Sequence, residues 1–285
     1  MSHKKYRAES DCLNCGAEVI DKFCHRCGQE NVDTRENFFH LVGHFISDYL
    51  HFDSKFFRSL IPLFSKPGFL TRQYWEGKRV RYIHPLRLFF FVTIIFMIST
   101  SYFYHRFGDQ LKRAMVHSDN LGGKYDSAYI ANATDSAKVE IKRQMETENR
   151  QVTKLHAGVD LVFTNLKYVT FFLLPVYAFV FKMLYLRRRK FYVDHLVYAM
   201  HLQTFVYCLF GLLLVLPFIF SIPLDLIRRI ALVAIFIYIG FSLHYLYKQT
   251  WWKTLLKSII ATFSLFFLTM VVIVTIAAID AIFIQ

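Results

Sequence analysis

Long stretches with almost no charge recur through the later two-thirds of this 285-residue chain: about Leu88 to Tyr104, Tyr168 to Leu186, Val197 to Phe220, Ile230 to Tyr247 and Ile259 to Ala278. As a helix, each is long enough to cross a hydrocarbon core of about 30 Å. Within lipid a backbone must satisfy its own hydrogen bonds, so runs of this length fold as helices. The expected fold is therefore an all-α integral membrane protein with about five transmembrane helices. A content of 31 phenylalanines, in a chain that is 55% hydrophobic, excludes a soluble domain of this length. Pro217, near the end of the third run, and Pro223 beyond it imply a kink or an early stop there.

Basic residues at the span ends orient the bundle. Lys78, Arg79, Arg81 and Arg87 precede the first span, Arg187 to Lys190 join the second and third, and Lys248, Lys253 and Lys257 join the fourth and fifth. With five spans, all three clusters fall on one side, the cytoplasmic one. The long segment 105–164 then lies outside, as does the C-terminus. These clusters suit an anionic leaflet and account for most of the net charge of +13, so specific nucleic-acid binding is not needed to explain it. No cleavable leader precedes the spans, because Lys4 and Lys5 are followed by polar residues and cysteines.

Ahead of the spans stand Cys12, Cys15, Cys24 and Cys27. Two Cys-x2-Cys pairs at this separation match a tetrahedral zinc site, because each pair sits on a tight turn that aims both sulfurs at one ion. Two disulfides or four free thiols are the competing readings. Gly16 and Gly28 follow the second cysteine of each pair, where a knuckle needs a backbone that accepts positive φ. Leu13, Val19, Ile20 and Phe23 are too few to build a core, so a structural zinc must hold the fold. His25 reads as a surface side chain. Reduced thiols require a reducing compartment, which places this end in the cytoplasm independently of the charge rule.

The domain organisation follows: a zinc ribbon at 1–33, amphipathic helices at 34–84 and a transmembrane bundle at 85–285. Between Glu36 and Phe52 the apolar residues recur at spacings of three and four, and His40, His44 and Asp48 share the opposite face one turn apart. They form either a solvated polar face or a weak second metal site. Phe56, Phe57, Leu60 and Phe64, and then Phe69, Leu70, Tyr74 and Trp75 beyond the Pro67-Gly68 break, form short apolar faces suited to lying in the cytoplasmic interface or packing under the bundle.

A Cys-x2-Cys-Gly pair is followed by Phe23-Cys24-x2-Cys27-Gly28-Gln29, then Pro67-Gly68, then Tyr74-x2-Gly77-Lys78-Arg79-x2-Tyr82-Ile83-x-Pro85-Leu86-x-Leu88-Phe89. This order resembles an uncharacterised family of bacterial multi-span membrane proteins with an N-terminal zinc ribbon. The likeness reaches Asp194-His195-Leu196 and His201, with Asp194 where the family pattern would have glutamate. It implies the architecture and a bacterial inner membrane, and supplies no mechanism.

Ionisable residues inside a span are functional candidates because placing charge in hydrocarbon costs at least about 2.5 kcal/mol. Asp194 and His201 share one stripe of the third span. His244 lies at matching depth in the fourth, and Lys182 at the inner end of the second is within reach of Asp194. His195 points elsewhere. Three readings compete: structural pairing between helices, a cytoplasm-facing polar cavity, and a membrane metalloenzyme. Neither a Gly-rich phosphate loop nor a nucleophile elbow is present in the sequence. The expected function is a membrane adaptor or regulatory component whose ribbon recruits a cytoplasmic protein partner. A transporter or channel is the alternative, and self-association into a homo-oligomer is compatible with either.

Overall fold

The structure, a computed structural model, describes residues 6–32, 55–117, 138–139, 142–144, 146–147, 150, 160, 173–220 and 224–283. The chain divides into two compact units, one built from Met1–Phe96 and Phe171–Leu268, the other from Met97–Thr170 and Thr269–Gln285. The helices are α1 (Lys55–Ser65), α2 (Phe69–Trp75), α3 (Pro85–His117), α4 (Leu173–Leu184), α5 (Tyr192–Phe220), α6 (Leu224–Tyr247) and α7 (Trp251–Phe283). Among the described residues the ribbon has no strand longer than an isolated bridge, the bridges pairing Tyr6 with Val32, Asp11 with Glu18 and Phe23 with Glu30.

Among the described residues, four helices are long and apolar enough to cross a membrane: Pro85–Gly108, Tyr192–Leu213, Leu226–Tyr247 and Trp251–Ile276. The sequence reading had five. The second expected span starts at Tyr168, but residues 161–172 lie outside the described ones, and α4 at Leu173–Leu184 is too short to cross by itself. Two ends also differ. Helix α3 starts at Pro85 instead of Leu88, because proline fits the first helical position and the His84 carbonyl already accepts Leu88 N–H at 3.0 Å. Helix α7 starts at Trp251, well before Ile259, since its basic residues do not break it: the Lys257 amine reaches back to the Leu184 carbonyl at 2.8 Å. Its spanning stretch has mean hydropathy 2.6 with only 6% of it buried, a surface that calls for lipid.

Within the first unit, α5 and α6 form an antiparallel pair. Tyr198 meets Ser242 at one level, and Leu213 packs with Ile227 and Ala231 at the other. Helix α2 packs against α1, α5 and α6. Its Leu70, Thr71, Gln73 and Tyr74 are buried, so of the two settings expected for this segment it takes the packed one. Gly68 makes the approach possible. Its φ is 80°, and a Cβ there would lie 3.0 Å from the Ser242 carbonyl oxygen and 3.2 Å from Leu246. Helix α1 docks by Leu63, by Phe56 on Phe91 and by Phe64 on Phe205, while Phe57 and Ile61 stay open on its far side.

The end of α4, the start of α5, the end of α6 and the start of α7 meet at one level. Arg188 donates to the Tyr247 carbonyl at 3.2 Å, and the Trp75 indole donates to the Asp194 carbonyl at 3.2 Å. Lys190 stands over the Trp75 ring at 4.2 Å and Lys257 over the Tyr185 ring at 3.8 Å. Two of the basic clusters thus share one end of the first unit.

Candidate metal centre and the buried polar cluster

In each knuckle of the ribbon the first cysteine directs two backbone bonds. Cys12 N–H donates to the Ala17 carbonyl while Gly16 N–H donates to Cys12, at 2.9 and 2.8 Å. Cys24 N–H with the Gln29 carbonyl, and Gly28 N–H with Cys24, repeat the pattern at 2.9 and 2.8 Å. Gly16 and Gly28 hold φ of 74° and 73°, as expected from their place after each pair. The four Sγ atoms all lie within 4.8 Å of one another, with Cys12 to Cys27 and Cys15 to Cys24 both at 3.6 Å. A disulfide would bring a pair to about 2.05 Å. A tetrahedron with metal–sulfur bonds of about 2.3 Å has edges of about 3.8 Å, so these sulfurs fit a tetrathiolate cage around one metal ion. The N–H of Cys27, working against burial and followed by that of Arg26, draws the Cys24 thiol down to about 6, while, against the N–H of Ala17, burial and hydrogen bonds from Cys24, Cys27 and Cys12 push its partner Cys15 up to about 12.

The ribbon is tied to the loop between α2 and α3 through Gln29, which sequence reasoning missed. Its side chain is 8% exposed, donates from Nε2 to the Gly77 carbonyl at 2.7 Å and accepts Arg79 N–H at Oε1 at 3.2 Å. Both ends of one carboxamide are satisfied by one loop. The only sequence signal was its position immediately after Gly28. Beside it, Lys78 and Arg72 hold Glu76 at 2.7 and 2.8 Å, and these bonds, Lys78's first, keep its carboxyl below the ordinary range. A depressed carboxyl stabilises the fold above its unfolded value, and that contribution fades as pH falls through the folded value.

Each of the residues expected to form a polar site has a neighbour of its own in the structure. His201, 4% exposed, bonds through Nδ1 to Thr71 Oγ1 on α2 at 2.9 Å. His244 stacks on Trp251 at 3.9 Å, and the Asp194 carboxylate accepts Phe191 N–H at 2.9 Å in the first turn of α5. No ion pair joins Lys182 to Asp194 among the described residues. These residues thus engage different neighbours. His40, His44 and Asp48 lie outside the described residues.

His195, which helical phase had set aside, is buried and bonds through Nδ1 to the Tyr247 hydroxyl at 3.0 Å. Tyr247 stacks on Tyr185 at 3.5 Å. The Ser242 hydroxyl donates to the Ile239 carbonyl at 2.9 Å, so its 2.7 Å contact with the Tyr198 hydroxyl has Tyr198 as donor. Two of these hydrogen bonds join α5 to α6. Substituting Thr71 by valine should strand the His201 ring nitrogen and cost about 1–3 kcal/mol, whereas Thr71→Ser should be nearly neutral. Thermal midpoints of the two variants in nanodiscs test it; equal stability of both would refute the pairing.

Residues 53–97 match a family described as a protein of unknown function (DUF3667). Neither a curated protein nor a solved structure matches the chain. The matched stretch takes in α1, α2, the loop clamped by Gln29 and the first turns of α3. Together with the cysteine cluster it fits the uncharacterised family to which the sequence motifs point.

Proposed function

We propose that this protein is a zinc-ribbon membrane adaptor of a bacterial inner membrane, which holds a cytoplasmic protein partner at the bilayer. The observation that carries the reading is the way the ribbon is mounted. Gln29 fixes it to the loop that leads into α3, so the ribbon is a rigid platform at the membrane. On that platform Ile20 is 89% exposed and Phe23 57% exposed, with Lys22 and Arg26 next to them in sequence. Two large apolar side chains held open on a metal-stapled fold suit a partner surface. The metal in this reading is structural zinc, held by Cys12, Cys15, Cys24 and Cys27. The chain crosses the membrane five times with segment 168–186 supplying the second crossing, its N-terminus in the cytoplasm and its C-terminus outside.

Transport is the second reading, favoured by the one observation that His201 lines a pocket. Against it, the polar groups of α5 and α6 pair among themselves, Tyr198 with Ser242 and His195 with Tyr247.

Photo-crosslinking residues placed at Ile20 and Phe23 in intact cells should yield one discrete protein adduct. An Ile20→Ser, Phe23→Ser double variant should lose that partner while keeping its zinc and its folded amount. Partner capture that survives the double variant would move the docking site off the ribbon.

A further inference from the structure

Beside the loop that Gln29 clamps, the first unit contains a pocket of about 290 Å³, counting the part open to solvent. Its polar lining comes from Gln73, Lys78, Arg79, Tyr82, His84 and His201, and no carboxylate belongs to that lining. Two of these side chains are permanent cations with their geometry fixed. The Arg79 guanidinium lies over the Tyr74 ring at 4.8 Å, and the Lys78 amine is anchored on Glu76 at 2.7 Å. Glu76 is already shared with Arg72, so this trio keeps a net positive charge.

Pro85, the first residue of α3, closes one side of the pocket. The first turn of this 33-residue helix adds the partial positive charge of its end to the two cations. Pro85 is also where the spanning stretch Pro85–Gly108 begins, the level at which lipid phosphates lie. An arginine, a lysine, a tyrosine and two histidines lining one pocket at that level make a donor-rich set suited to a phosphate oxygen.

We infer that this pocket binds a phosphate group, carried by an anionic lipid of the adjoining leaflet or supplied as free phosphate, with Arg79 and Lys78 as its principal ligands. The inference stands apart from the adaptor reading, since no residue of the pocket belongs to the exposed face of the ribbon.

Full-length protein in nanodiscs of phosphatidylcholine, with or without phosphatidylglycerol, tests the site by native mass spectrometry of retained lipid and by thermal midpoint. Inorganic phosphate is titrated in a parallel arm. Wild type should retain phosphatidylglycerol at least tenfold better than Arg79→Gln, while Arg81→Gln, which removes an exposed neighbouring charge, should behave as wild type. Stabilisation by phosphatidylglycerol alone identifies the lipid as the source, and stabilisation by inorganic phosphate alone identifies the free ion; either supports the site if Arg79→Gln abolishes it. Lys78→Gln reads the same contrast should Arg79→Gln fold poorly. No response to either probe, or equal losses in Arg79→Gln and Arg81→Gln, overturns the proposal.

Discussion

Removing two of the four thiolates, with Cys24→Ser and Cys27→Ser together, should reduce bound zinc from one ion per chain to none. The ribbon has few apolar side chains to bury, and its small core is mostly the cysteines themselves with Val19 and Ala17. A fold of that kind exists only with its metal. The loss should travel. Gln29 is positioned by the second knuckle, whose Cys24 N–H holds the Gln29 carbonyl at 2.9 Å, so an unravelled knuckle releases both bonds to Gly77 and Arg79. One buried and one partly buried hydrogen bond at about 1 kcal/mol each correspond to roughly a thirtyfold change in local opening. Amide exchange at Arg79 should therefore accelerate by about that factor in the double variant, and by a similar factor in Gln29→Ala with zinc retained. Metal analysis and exchange mass spectrometry read both quantities. Zinc undiminished in the double variant would refute the cage, and unchanged exchange at Arg79 would refute the clamp.

The second large effect is expected at Gly68. Replacement by alanine meets two penalties at once: a left-handed φ of 80° that costs a side chain about 1–2 kcal/mol, and a Cβ driven to 3.0 Å from a backbone carbonyl on α6. Overpacking of this kind adds about 1–3 kcal/mol. Together these amount to about 2–5 kcal/mol, a large share of the stability of most domains. Gly16→Ala provides the control, because its φ is 74° but nothing lies within 4 Å of the added carbon. Thermal midpoints in nanodiscs should fall several degrees further for Gly68→Ala than for Gly16→Ala. Equal shifts would mean that α2 is not held against α6 by this approach.

Backbone requirements in this chain were readable one segment at a time. Long apolar runs announced spanning helices, because a backbone in lipid has no other way to satisfy itself. The spacing of Cys12, Cys15, Cys24 and Cys27 announced a metal cage, because both turns and ligands lie within a few residues of each other. The glycines after each pair announced positive φ for the same local reason.

Pairings between distant segments were decided only by the tertiary structure. Helical phase set His201 on one stripe of the third span, and its partner in the structure is Thr71, 130 residues earlier on a seven-residue helix. Nothing in the phase of α5 reveals that α2 would pack against it. His195 fell off that stripe and still found Tyr247, since a buried helix has neighbours on more than one side. In the sequence Gln29 stands only as the last residue of a family motif, and its two bonds appear once the loop at Gly77 to Arg79 is folded onto it. Local sequence determined which elements form, because their backbone bonds and metal ligands close within a turn or a knuckle. Which polar side chains meet depended on how the segments pack, because a buried donor takes whatever acceptor the neighbouring element brings within about 3 Å.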